Sequence, residues 1–361
     1  MFRHLAELYP AAPVYTSLFD EAVTGDLVAA SRVRTSFLQA LPGATAYFRF
    51  LAPMYPAAFE RFDLRAYDTI VSTTTAWAKG VRFRPDATHV CYIHTVSRFA
   101  FAYDAYVGGL AGGPTALAAR LARPLIGRLV AWDLEAAKRP TAFIANSRNV
   151  AARVRQYYGR EALVAHCPID IDRFAVGPGD GDYALVVSRL LPYKRIGLAI
   201  AACASVGLRL VVVGVGPAER ALKDAALGTR TEFLGATSDG ALRELMGRAR
   251  LVILPGEEDY GLVPLEANAS GRPIVAYGAG GALETVVPGI TGAFFASPTI
   301  DSLATTLARF DPDRYDASCL RAHAERFGPE PFKARFAALV RAVVERGEAT
   351  ALRDRDRLVE A

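Results

Sequence analysis

The sequence predicts an α/β protein with two doubly wound parallel sheets, one in each of two domains of similar size. Short β-rich runs alternate with helical stretches along the whole chain, the pattern of parallel sheets joined by crossover helices. Several of those runs are continuously apolar, as strands buried on both faces must be. A single break, Phe174 to Asp182 with three Gly and one Pro in a polar setting, interrupts this alternation near the middle.

Taken in order, the chain opens in a helix, Phe2 to Tyr9, rather than in a strand. Strands are expected near Pro13–Ser17, Thr69–Ser72, His89–Ile93 and Ala142–Ala145. Residues Leu117 to Lys138 carry apolar side chains at 117, 121, 125 and 129, with Arg120, Arg123 and Arg128 nearby. Pro124 interrupts this stretch, so a kinked helix or two short ones is expected. The break at 174–182 then serves as a linker, placing domain one at 1–178 and domain two at 179–329. In the second half the strands fall near Ala184–Ser188, Leu208–Val213, Thr231–Leu234, Leu251–Leu254 and Ile274–Tyr277. Helices Ile196–Val206 and Asp239–Arg248 lie between them. A doubly wound domain ordinarily begins with a buried strand and a Gly-rich turn into its first helix. That strand and turn, about 15 residues by usual element lengths, are missing here, so either the fold dispenses with them or, as is favoured, the true start lies upstream of the first helix.

Composition narrows the function classes. Hydrophobic residues make up 52% and charged residues 22% of 361, a globular balance. No apolar run reaches the roughly 18–20 residues of a membrane span, and the opening residues lack a signal-peptide core. The chain is therefore read as cytoplasmic. Cys91, Cys167, Cys203 and Cys319 are scattered, as small buried hydrophobes are, and five dispersed His offer no metal spacing. Residues 1–178 hold 20 Lys and Arg against 14 Asp and Glu, whereas the remainder holds 22 against 23. A basic half suits an anionic partner: a membrane surface, a phosphorylated lipid or nucleic acid, among which charge alone does not choose.

The chemistry concentrates after the strand near Leu251–Leu254. Glu258 and Glu266 are separated by seven residues, with Tyr260, Gly261 and Leu262 between them. Glu258 follows the carboxyl end of a strand, where open α/β sheets bind ligands. A helix should begin near Val263 and Pro264, since proline suits a first helical turn. Its free amides would suit a diphosphate, and Glu266, about one turn in, could hold two ribose hydroxyls. Arg189 and Lys194, in the turn after the first strand of domain two, could neutralise that diphosphate.

This segment resembles the Glu-x7-Glu signature of the retaining group 1 nucleotide-sugar transferases with the GT-B fold, through Gly261-Leu-Val-Pro-Leu-Glu266-Ala and Gly271-Arg-Pro-Ile-Val-Ala276. Ser188-Arg189-Leu with Lys194 resembles the family's Gly-Arg-Leu-x-x-x-Lys motif, with Ser188 where Gly is common. Ile144-Ala-Asn-Ser147 and Pro168 to Phe174 also match. The resemblance implies two Rossmann-like domains facing across a cleft, with the first strand of the N-terminal domain missing and the last helix, about 330–361, packing back on domain one. It further implies that Glu266 grips the ribose, Glu258 contacts the donor sugar, and amides at Gly261 and Leu262 hold the phosphates, beside Tyr260 and Ser188. His94, at a strand end in domain one, would approach the sugar when the domains close about 174–182. Arg98 would touch acceptor or phosphate, and Phe99 to Tyr106 would line an acceptor groove or form core. Ser147 is read equally as a cleft residue and as a helix N-cap.

By the same resemblance the chain would be a retaining, metal-independent transferase with no bound cofactor, using a nucleotide-diphosphate sugar as co-substrate, GDP-mannose favoured over UDP-sugars. The acceptor implied is a glycan or a lipid-linked sugar of bacterial surface polysaccharide synthesis, without a nucleic-acid partner. The basic stretch 117–138 suits either an anionic membrane surface, with peripheral attachment to its inner face, or an ordinary core-facing helix. The alternatives are a non-catalytic or truncated nucleotide-sugar-binding paralogue, an NAD-dependent dehydrogenase and an epimerase. Val213-Gly-Val-Gly-Pro-Ala-Glu219 speaks against the dehydrogenase, because Glu219 replaces the third glycine and the motif follows the second strand of its domain. The Glu-x7-Glu run speaks against the epimerase.

Overall fold

The computed structural model describes residues 1–97 and 114–354. Contacts divide the chain into two compact units, one formed by Met1–His166 with Phe332–Ala361 and the other by Cys167–Pro331.

The second unit carries six parallel strands. They are β7 (Tyr183–Val187), β8 (Arg209–Val213), β9 (Thr231–Gly235), β10 (Leu251–Leu254), β11 (Ile274–Tyr277) and β12 (Gly292–Phe295). Their order across the sheet is β12-β11-β10-β7-β8-β9, with the first strand in the middle and the chain winding outward from it in both directions. Each crossover is a helix, Ile196–Ser205 after β7 and Asp239–Arg248 before β10 among them. The sequence explains this directly: Leu185, Val186, Val211, Val212, Val252 and Ile253 are all at most 2% exposed, because helices cover both faces.

Among the described residues the first unit has six parallel strands in two groups. A pair, β1 (Val14–Thr16) and β2 (Val33–Thr35), stands apart from a four-stranded sheet. That sheet contains β3 (Thr69–Thr74), β4 (Thr88–Ile93), β5 (Ala142–Ala145) and β6 (Leu163–Val164), in that order. One face of it packs Val90, Tyr92, Ala142 and Ile144 against Phe332, Phe336, Leu339 and Val343 of the late helix Pro329–Arg346, with Leu5 of the helix Phe2–Leu8. The other face packs Cys91, Ile93 and Phe143 against Val150 and Val154.

Three differences from the expectations have physical causes. The division falls at His166/Cys167 rather than at 178, because the glycine run fastens onto the second unit. Gly177 N–H donates to Ser270 O at 3.1 Å, Gly179 N–H to Gly247 O at 3.0 Å and Gly181 N–H to Arg248 O at 2.8 Å. Residues 174–182 are therefore part of that unit's packing and not a free hinge. The helix Pro114–Ala136 runs through Pro124 without a break. β2, β6 and β12 were not anticipated; each is short, and β2 and β12 are outermost in their sheets, where continuous apolar patterning fades. Cys319 is exposed, while the other three cysteines are buried and all four are free.

Candidate functional site

In the second unit the loops leaving β7, β8, β10 and β11 gather at the carboxyl edge of the sheet. Ser188 N–H donates to Val213 O and Leu190 N–H to Val215 O, both at 3.0 Å, so the loop after β7 continues the β7–β8 ladder. The glycines after β8 make that closeness possible. A Cβ on Gly214 would stand 1.9 Å from Ser188 O, and one on Gly216 would stand 2.4 Å from Leu190 O. This Gly-Val-Gly face is thus covered by the chain's own backbone and has no room for a dinucleotide.

Beyond Leu190 a short turn, Pro192–Lys194, delivers Lys194 toward the loop after β10. It ends at Arg195 with φ 54°, the one non-glycine residue of positive φ among the described residues. Such a conformation costs roughly 1–2 kcal/mol and is retained where the surroundings demand it. Here the Arg195 guanidinium stacks over the Tyr277 ring at 5.5 Å. Lys194 Nζ donates to Glu258 Oε1, and both side chains are mostly buried. The two motifs read separately in the sequence therefore meet in one ion pair. Gly256 abuts the Lys194 backbone, with a Cβ there 2.9 Å from Lys194 O.

The loop after β10 is held from the other side by Gly280 and Gly281. Gly281 N–H donates to Glu258 O at 2.8 Å, and a Cβ on Gly280, whose φ is +61°, would lie 2.4 Å from that same oxygen. This Gly278-Ala-Gly-Gly281 turn went unread in the sequence, although three glycines after a strand are a clear signal of close backbone approach.

The chain then enters the helix Leu262–Ala269 through Gly261, with no side-chain cap. The N–H groups of Gly261, Leu262 and Val263 find no acceptor among the described residues. They form a small cluster of donors at the positive end of the helix. Glu266 stands a turn further on. Its side chain makes no hydrogen bond among the described residues, and burial raises its pKa, opposed by the nearby Arg173. Arg173 is itself paired with Asp239. A desolvated carboxylate without a donor is costly unless a ligand supplies one.

The remaining predicted residues fall as follows. Arg189 is exposed, and Ser188 is partly exposed, its hydroxyl donating to Arg189 O at 3.2 Å. Tyr260 is only 3% exposed, so at that position the turn offers a ligand backbone rather than a ring.

His94 lies in the first unit, at the end of β4. Its Nε2 stands 2.9 Å from Thr73 Oγ1, its N–H donates to Thr74 O, and its carbonyl accepts from Asn146 Nδ2. Burial lowers its pKa to about 4, so the imidazole is neutral at ordinary pH. Ser147 is fully buried and caps the helix Arg148–Tyr158 by accepting from Val150 N–H at 3.0 Å. Arg98 and Phe99 to Tyr106 lie outside the described residues.

The sequence also concealed a polar cluster next to His94's loop. Lys79 is 0% exposed, and its Nζ donates to Ala76 O and, at 2.5 Å, to Asp133 Oδ1. Ser97 and Tyr158 donate to the same carboxylate. A lone Lys and a lone Asp 54 residues apart carry no readable pattern.

The fold and this edge-of-sheet site define a class: two Rossmann-like α/β domains of the GT-B type. Residues 169–327, nearly the whole of the second unit, match the family model of glycosyl transferases group 1. Curated relatives include D-inositol 3-phosphate glycosyltransferase of Mycolicibacterium paratuberculosis, 33% identical over 168 residues, covering 40% of this chain and 38% of that protein. Another is the GDP-mannose-dependent alpha-(1-6)-phosphatidylinositol monomannoside mannosyltransferase of Mycolicibacterium smegmatis, 30% identical, covering 55% of this chain and 63% of that protein. The matches thus span between about a third and two thirds of these relatives' length. Among solved structures, sucrose-phosphate synthase from Thermosynechococcus elongatus aligns with a TM-score of 0.65 at 18% identity, covering 86% of this chain and 83% of that one. Anabaena Alr3699/HepE in complex with UDP-glucose aligns at 0.63 and 20% identity, covering 94% of each chain.

Proposed function

We propose that the protein is a retaining glycosyltransferase that moves a sugar, mannose for preference, from a nucleotide-diphosphate donor onto a glycan or lipid-linked acceptor. The observation that carries this reading is Glu266, a half-buried carboxylate that makes no hydrogen bond among the described residues, one turn beyond three amides that find no acceptor among them. That pairing matches the two ends of a nucleoside diphosphate: hydroxyls of a ribose at Glu266, and phosphate oxygens at the amides of Gly261 and Leu262.

The chemistry rests on those positions. Sugar transfer passes through an oxocarbenium-like centre while negative charge grows on the departing diphosphate. Fixed donors in place before the reaction stabilise that charge without reorganising. The helix amides, Lys194 and Arg189 supply them, so no metal is required of the donor site. Lys194 is held by Glu258 until phosphate arrives. Glu258, released in part from that pair, turns its carboxylate to the donor sugar's hydroxyls. Retention of configuration is taken from the family resemblance, with the acceptor attacking on the face the diphosphate leaves. The mannose preference and a lipid-linked acceptor are supported by the similarity to the GDP-mannose-dependent phosphatidylinositol monomannoside mannosyltransferase. A cytoplasmic location, peripheral at a membrane, belongs to the same proposal.

A thermal-shift titration with GDP, UDP and ADP tests it, on the wild type and on Glu266→Ala. Stabilisation by GDP that the variant lacks supports the donor assignment. Equal responses in wild type and variant, or none to any nucleotide, overturn it. Stabilisation without turnover of GDP-mannose in the presence of acceptor would instead favour the non-catalytic binding paralogue.

A further inference from the structure

Exposed aromatic side chains are confined to one short stretch of the first unit. Among the described residues, every exposed Phe, Tyr or Trp lies between positions 37 and 50: Phe37, Tyr47, Phe48 and Phe50. Tyr47 is 64% exposed and Phe50 82%, and Leu41 and Met54 are exposed in the same stretch. Single apolar residues at a surface are ordinary, whereas a run of them marks an interaction site.

The backbone that carries these rings is fixed from beneath. Ser36 caps the short turn Phe37–Ala40 by accepting from Leu38 N–H at 3.2 Å. Leu38, Tyr55 and Ala58 form a small buried core with Leu51 and Trp77 against it. Tyr55 Oη donates to Phe48 O at 2.9 Å, which holds the second turn, Phe48–Met54. The segment thus has its own core, and the four rings are outside it.

Charge along this stretch has one sign. Residues 27–59 contain no Asp or Glu. The Arg49 guanidinium lies over the Phe48 ring at 5.4 Å, and that of Arg61 over the Phe37 ring at 5.1 Å. Neither makes an ion pair among the described residues. The acids that follow are already matched, Glu60 with Arg82 and Arg139, and Asp63 with Arg65.

We infer that this aromatic and arginine surface docks the first unit on an anionic phospholipid bilayer. The rings enter the headgroup boundary, and Arg49 and Arg61, each lying on one of them, meet lipid phosphates at the same depth. A ring with a cation on its face suits a boundary that is apolar below and anionic above. A single-stranded nucleic acid would stack on the rings, but it has no use for Leu41 and Met54 and needs a basic track along its backbone. A second copy of the same face would bring together two unmatched guanidinium groups from each chain. Such docking rests on the proposed peripheral location, to which it assigns side chains distinct from the basic stretch 117–138.

The test is flotation of the full chain with phosphatidylcholine vesicles, with and without phosphatidylglycerol. The wild type is expected to bind the anionic vesicles about tenfold more tightly or better, and to lose that preference at high salt. Tyr47→Ser with Phe50→Ser, and separately Arg49→Gln with Arg61→Gln, should each weaken binding about tenfold or more. The thermal midpoint should hold in both, because all four side chains are exposed. Arg123→Gln with Arg128→Gln, in the basic stretch, should bind as the wild type does. Phe50→Trp should be quenched by brominated acyl chains beyond the level of the wild type. No binding to either vesicle, equal binding to both, or wild-type binding by both surface variants overturns the proposal. So does loss of binding only in the Arg123 and Arg128 variant. A wild-type dimer that Tyr47→Ser with Phe50→Ser dissolves without lipid would assign the face to a second copy, and also overturns it. No vesicle carries nucleotide and the substitutions lie in the first unit, so docking stands or falls separately from the GDP response that tests the donor site.

Discussion

The two units share a parallel, doubly wound plan, yet they treat polar groups in opposite ways. In the second unit the central strands β7 and β10 are almost wholly buried, and groups without partners among the described residues stand at the carboxyl edge: the Glu266 carboxylate and the amides that open the helix Leu262–Ala269. In the first unit several described polar side chains near the same edge of the sheet are paired. Lys79, Asp133, Ser97 and Tyr158 satisfy one another in the interior, and His94 and Ser147 are tied to neighbouring backbone or hydroxyls. What that unit leaves open is mostly apolar, a cavity of about 510 Å³ bordered by Val14–Thr16 and Thr69–Thr73.

The sharpest way to break this contrast is at Lys79. If its pair with Asp133 is structural, Lys79→Met leaves a buried carboxylate without its cation and should cost about 3–5 kcal/mol. Lys79→Met with Asp133→Leu removes both charges and should recover most of that loss in urea unfolding. A double variant as unstable as the single one would show that the pair is not what matters there.

A smaller effect is expected in the second unit at Gly280. Gly280→Ala forces a Cβ against Glu258 O and should cost about 1–3 kcal/mol while weakening the response to GDP. Gly289→Ala is the control. Its φ is similarly positive, but nothing lies within 4 Å, so it should lose stability through backbone strain alone and keep the nucleotide response. Equal nucleotide responses in the two variants would detach the Gly280 turn from the site.

The mildest test is pH. Burial raises the pKa of Glu266, so the acid is neutralised at a higher pH than an ordinary carboxylate. Its ionised form is the one that accepts two hydroxyls, so affinity for GDP should hold at neutral pH. It should then fall on acidification by up to about tenfold per pH unit once the raised pKa is passed. Glu266→Gln, measured by calorimetry over the same range, should bind more weakly at neutral pH and lack that component. Stability runs the other way: a raised carboxyl pKa favours the folded state at low pH, and that contribution is lost as pH rises through the folded value.

Much of this was legible from residue order. β5, β10 and β11 lie where their apolar runs place them, because a strand covered on both faces leaves its signature in every residue. The Glu258–Glu266 spacing and the Arg189–Lys194 turn were readable as well, since each is local to one loop. The short outer strands β2 and β12 were not, because an edge strand needs no continuous apolar run.

The sequence by itself thus determined the parallel α/β class and the six strands of the second unit but one, and it singled out Glu258, Glu266 and Lys194 as candidates. Only tertiary structure joined Lys194 to Glu258, desolvated Glu266, fastened residues 174–182 to the second unit, and assembled Lys79 with Asp133. The reason is range. Helix starts, turns and buried strands are written in neighbouring residues, whereas ion pairs, burial and a gap between sheet edges arise from segments tens of residues apart, which a one-dimensional pattern does not encode.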